Sequence, residues 1–191
     1  IIKRSELLSI IAKSKKTIAV AGTSGKSTTS AMLFQILSDA GYMPSIISGA
    51  GLTSIIKQGK IGNAFVGKGD WLIIEADESD GSVVQYHPEI GLLLNIDKDH
   101  QEIDELMELF SKFKKNTKSL FIVNQSNTLS SQLSENSKVD FGFNNENAGY
   151  NATNFLQNGF HLSESKLSSS LSTSSASSLL TSSTTRLPHH S

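Results

Sequence analysis

The segment that most constrains the fold is Thr17-Ile-Ala-Val-Ala21, which runs into Gly22-Thr-Ser-Gly-Lys-Ser27 and then into a helical pattern. The apolar run has strand length, and the small residues after it form a turn. Leu33, Ile36, Leu37 and Ala40 recur at i, i+3, i+4 and i+7, which predicts a helix over Lys26 to Ala40 with one apolar face. Gly41 stands just past its end, where a left-handed residue is favoured. Strand, glycine turn and helix open a βαβ unit, and such a unit commits a chain to a parallel sheet covered by helices.

The remaining patterns agree. Ser5 can cap a short helix with Leu7, Leu8 and Ile11 on one face. Ser45 to Ser48 reads as a second strand. Gly49 to Gly69 holds six glycines and reads as loop and hairpin, with an edge strand at Asn63 to Val66. Trp71 to Ile74, Gly91 to Asn95 and Ser119 to Val123 are buried-type strands. Glu102 to Lys115 is the clearest helix, with Ile103, Leu106, Met107, Phe110 and Phe113 on one face. Weaker strand patterns follow at Val139 to Phe143 and at Asn154 to Leu162, the latter with a hairpin about Asn158-Gly159. The expected class is α/β, a mostly parallel sheet with helices on both faces.

Composition divides the 191 residues. From Ser163 to Ser191 there are 13 Ser and 4 Thr in 29 positions, too little apolar surface to offset ordering entropy, so this tail is expected to be disordered. The expected organisation is an entry segment over 1–16, a folded domain over 17–162 and a tail over 163–191. A net charge of −1 with no basic block argues against a nucleic-acid partner. No apolar run approaches the ~18 residues of a membrane span, so no membrane insertion is expected. The absence of cysteine excludes disulfides, thiolate metal sites and cysteine nucleophiles. The charged start does not resemble a signal peptide, which makes the cytoplasm the default compartment, and it lacks an initiator Met, as though the chain began inside a longer protein.

Three clusters can carry chemistry. Gly22, Thr23, Ser24, Gly25, Lys26, Ser27 and Thr28 form a phosphate-type loop. Glycines admit close backbone approach, Lys26 suits β/γ-phosphates, and the Ser27 hydroxyl suits Mg²⁺. The general pattern wants a further glycine where Val20 stands. Glu75, followed by Asp77, Glu78 and Asp80, ends a strand on the sheet edge where open α/β sheets bind ligands, and can take a hard cation or orient water. Asn95-Ile-Asp-Lys-Asp-His100 ends another strand, and His100 can act as metal ligand or acid/base. His87 reads as structural, and His161, His189 and His190 receive no role.

In order and spacing, Ala21-Gly-Thr-Ser-Gly-Lys-Ser-Thr-Thr29, Glu75-Ala-Asp-Glu-Ser-Asp80 and Asn95-Ile-Asp-Lys-Asp-His100 resemble the Mur ligase family, and most of all the central domain of its alanine-adding branch. The family's shortened phosphate loop accounts for Val20. Ser24 stands where that branch usually carries His, and Ser27 where Thr is commoner. The resemblance covers about residues 1–162. It implies a P-loop NTPase-like central domain and ATP-dependent ligation through an acyl phosphate, with UDP-N-acetylmuramate and an amino acid, L-alanine, as substrates. On that resemblance Lys26 neutralises the β/γ-phosphates of ATP and Ser27 binds its Mg²⁺. Glu75 and His100 bind a second Mg²⁺, so Lys26, Glu75 and His100 are the catalytic set. Other readings are a ligase that attaches a ready-made murein peptide, a folylpolyglutamate-type relative, or a non-catalytic nucleotide-binding remnant. The family's uridine-binding and C-terminal domains have no counterpart here, so this stretch alone is expected to bind nucleotide weakly and ligate nothing.

Overall fold

The computed structural model describes residues 4–79, 81–98, 101–158 and 161–169. Along the chain lie α1 (Arg4–Lys13), β1 (Lys16–Ala21), α2 (Lys26–Asp39), β2 (Ser45–Ile47) and α3 (Thr53–Ile56). There follow β3 (Ala64–Phe65), β4 (Trp71–Glu75), β5 (Ile90–Leu93), α4 (Ile103–Asn116) and β6 (Leu120–Val123). The last elements are β7 (Phe141–Phe143), β8 (Tyr150–Asn158) and β9 (His161–Ser169).

Six strands form one sheet in the order β3-β2-β4-β1-β5-β6, parallel except for the edge strand β3. The α/β class expected from the pattern is what forms. Strand alternation sorts its side chains onto two faces. Ala19 and Ala21 of β1, with Leu72 and Ile74 of β4, pack with Ala12 of α1 and with Leu106, Phe110 and Phe113 of α4. Ile18, Ile46 and Ile73 turn the other way, against Phe34 of α2 and Ile55 of α3. Chain order reverses about β1: β2 and β4 lie on one side of it, β5 and β6 on the other. Ligands of open α/β sheets bind at such a switch point, beyond the carboxyl ends of the strands.

Two helix faces match expectation only in part. In α2 the expected Leu33 and Leu37 pack against the core together with Ser30, Ala31 and Phe34, whereas Ile36 is 59% exposed and Ala40 lies on the surface. The glycine turn launches the helix with Ser27 toward Glu75, and the face that packs is centred on Phe34 rather than on Ile36. In α1 only Leu8 of the three expected apolar residues packs on the core, with Ala12, while Leu7 and Ile11 are exposed. The end of α2 is as expected. Gly41 has φ 81°, and Gly41 N and Tyr42 N donate to the carbonyls of Ser38 and Leu37, the paired bonds of a Schellman stop.

The glycine-rich stretch after β2 also contains α3, a single turn too short to give a periodic signal. A second sheet, β7-β8-β9, carries the hairpin expected at Asn158, with Asn158 opposite His161. β9 runs on to Ser169, so the first seven residues of the supposed disordered tail pair as a strand. Backbone pairing to β8 supplies the order that their composition does not suggest. Residues 170–191 lie outside the described residues.

Candidate active site

The phosphate-type loop leaves the carboxyl end of β1 between β4 and β5. Val20 is wholly buried within β1, level with Glu75, so the turn starts only at Gly22, and no glycine is needed at Val20. Gly22 has φ 135°, and a Cβ there would lie 3.1 Å from both the N and O of Asn95 and from Leu94 Cβ. Only glycine fits this conformation and this approach. Gly25 (φ 84°) starts α2. In the first turn of a helix the N–H groups of Lys26, Ser27 and Thr28 have no intrahelical acceptor and point at whatever lies before the helix.

Asn95 clamps the loop from the β5 side. Its side-chain oxygen accepts from Ser24 N at 2.9 Å, its amide donates to Ser24 O at 3.1 Å, and its carbonyl accepts from Thr23 N at 3.2 Å. Asp97 N donates to Thr23 Oγ1 at 2.8 Å, and Asn127 donates to the Asp97 carboxylate at 3.1 Å. The loop shape is thus held from a neighbouring strand end and is not left to the turn alone.

Lys26 is not free. Its ammonium donates to Gly22 O at 2.7 Å and to both carboxylate oxygens of Glu78, at 2.9 and 2.7 Å. The two side chains are 15% and 8% exposed. A lysine in such a glycine loop is expected to be exposed. Here the turn after β4 brings a carboxylate back over it.

Glu75 is held by partners other than Lys26. Parity on β4 puts it on the α2 side with Ile73, and one oxygen accepts from Ser27 Oγ at 2.8 Å. The other accepts from Ser48 Oγ and from Gly49 N, the latter at 2.9 Å. Ser27 and Glu75 are therefore a hydroxyl and a carboxylate in contact, both hard oxygen donors suited to Mg²⁺. Among the described residues no group of three or more His, Asp or Glu side chains is arranged to hold a metal. A cleft of about 490 Å³ opens beside Ser27, between α2 and the segment Ser48–Ser54.

Of the expected site residues, Gly22 to Thr28 and Glu75 lie together. His100, Asp80 and Asp99 lie outside the described residues. β1 separates β4, which Glu75 ends, from β5, the strand that precedes the Asn95–His100 cluster. Sequence reasoning missed Ser48, which stands in no motif and meets Glu75 only because β2 pairs with β4. It also missed the partnership of Glu78 with Lys26, although Glu78 stood in the acidic cluster it singled out.

Comparison with known proteins agrees with this geometry. Residues 20–183 match the Mur ligase middle domain. The UDP-N-acetylmuramate–L-alanine ligase of Synechococcus sp. (strain RCC307) is 38% identical over 138 residues, which are 70% of this chain and 28% of that protein. The ligase of the same name from Prochlorococcus marinus is 43% identical over 124 residues, 63% of this chain and 25% of that protein. The chain thus spans about a quarter of the length of these relatives. The crystal structure of UDP-N-acetylmuramate–alanine ligase from Thermotoga maritima superposes with a TM-score of 0.67 at 26% identity, over 78% of this chain and 34% of that one. The crystal structure of UDP-N-acetylmuramate:L-alanyl-gamma-D-glutamyl-meso-diaminopimelate ligase from Neisseria meningitides also reaches 0.67, at 21% identity, over 81% of this chain and 54% of that one. The chain belongs to the Mur ligase family and carries its middle domain.

Proposed function

We propose that this chain is the ATP-binding part of a ligase that joins L-alanine to UDP-N-acetylmuramate in peptidoglycan precursor synthesis, in the cytoplasm. The supporting observation is one contact: Ser27, next to the phosphate-binding lysine, touches Glu75 from the adjacent strand. On this reading a carboxylate oxygen of the muramyl substrate attacks the γ-phosphorus of ATP, giving an acyl phosphate and ADP. The amino group of alanine then attacks the acyl carbon, and inorganic phosphate leaves as the amide forms.

Such chemistry is mostly positioning and charge neutralisation. Lys26 holds the β/γ-phosphates, and the loop N–H groups at the start of α2 hold their oxygens. Ser27 and Glu75, with His100, are the residues to hold Mg²⁺, which when bound offsets the negative charge gathered on the transferring group. The cleft beside Ser27 leaves room for the acceptor end of a substrate. Relatives of this name at 38% and 43% identity favour alanine as the amine.

In the longer protein, phosphate release that requires UDP-N-acetylmuramate and L-alanine together tests the reading. Release driven instead by a preformed peptide would replace alanine, and release with no acceptor would refute both. The 191 residues by themselves are expected to bind Mg-ATP and form no amide.

A further inference from the structure

Resting on the nucleotide reading above, we infer that Glu78 is a built-in counter-ion that occupies Lys26 until nucleotide arrives and is displaced when phosphate binds. An ammonium has three protons to donate. In this structure one goes to Gly22 O and two go to the Glu78 carboxylate, so the donor capacity of Lys26 is fully committed. A phosphate oxygen can reach the lysine only by taking the place of a carboxylate oxygen, and until that happens the two anions face one another.

The other acidic residue of this strand end does not share the role. Glu75 is engaged by Ser27, Ser48 and Gly49 on the far side of the loop. The Glu78 main chain is tied down as well, its carbonyl accepting from Gly81 N at 3.0 Å and from Gln101 Nε2 at 3.2 Å. Displacement is therefore a rotation of one side chain on a fixed backbone. The pair keeps the loop in its binding shape without ligand, and it lowers apparent affinity by the fraction of molecules in which the lysine is free.

The test is Glu78→Gln in the 191-residue chain, which keeps the shape and removes the charge. Affinity for ATP and for inorganic triphosphate is measured by calorimetry, alongside the rate at which an amine-specific reagent labels Lys26. Both affinities are expected to rise about tenfold, as when about a tenth of the unsubstituted molecules have the lysine free. Lys26 labelling is expected to quicken, a readout that needs no nucleotide. A residue with a merely structural role would weaken binding when replaced, so the direction of change decides. Equal or weaker affinity in a folded Gln variant overturns the inference and leaves the nucleotide reading standing. If the unsubstituted chain binds neither ligand, the nucleotide reading falls and the inference with it. Should the Gln variant fail to fold, Glu78→Asp carries the same test. It draws the carboxylate back from Lys26, and tighter binding supports the inference while equal or weaker binding overturns it.

Discussion

Replacing Lys26 with alanine should do more than remove a phosphate contact. The lysine and Glu78 are 15% and 8% exposed at the side chain, so their pair is largely shielded from water. Truncating one partner of a buried pair costs about 3–5 kcal/mol, mostly because the other charge is left without compensation. Glu78 sits in a turn and its side chain can rotate out to water, which brings the expected cost of Lys26→Ala to about 2–3 kcal/mol. In a domain of this size that lowers Tm by about 4–12 °C. The double variant Lys26→Ala/Glu78→Gln removes both charges and should recover most of the loss, since replacing both partners is far cheaper than stranding one. Thermal and urea unfolding of the four proteins of this cycle, followed by circular dichroism without nucleotide, give the coupling directly. A Lys26→Ala variant within about 0.5 kcal/mol of the parent would refute the reasoning. So would a double variant no more stable than Lys26→Ala. Either result would mean that the ion pair contributes nothing measurable in solution.

Gly22→Ala should cost about 1–3 kcal/mol from backbone strain at φ 135°, and more as its Cβ presses on Asn95 and Leu94; a melting temperature equal to the parent's would contradict the fit described here. Ser48→Ala removes one of the hydroxyls that hold Glu75, and should weaken Mg-dependent ATP binding severalfold while leaving Mg-free binding unchanged, as read by titration with and without the metal. Phe110→Ala opens the core between α4 and the sheet, where the ring is fully buried, and should cost about 3–5 kcal/mol in urea unfolding. Asp140→Ala should cost several kcal/mol, about 2–4, because the buried carboxylate accepts from Val123 N, Gln125 and Ser134 where β6 meets the second sheet.

Much of this molecule is written locally in its chain. Strand, glycine turn and helix at Thr17 to Ala40 announced the parallel sheet, because each element needs only near neighbours in sequence to declare its period. The same holds for the amphipathic α4, for the stop at Gly41 and for the phosphate loop itself, since a turn's chemistry is a matter of adjacent residues. What only the folded structure decided lies between elements. Ser27 of α2 meets Glu75, 48 residues away, and the helix packs through Phe34, Leu33 and Leu37 while Ile36 stays in water. Ser48 joins the site because β2 lies beside β4, and Glu78 closes on Lys26 because the turn after β4 folds back over the loop. β9 is ordered by pairing with β8 rather than by its own serine-rich composition. Propensity and period are short-range quantities. Charge pairing, sheet order and cross-strand pairing depend on which distant residues arrive at the same place, and tertiary packing alone brings them there.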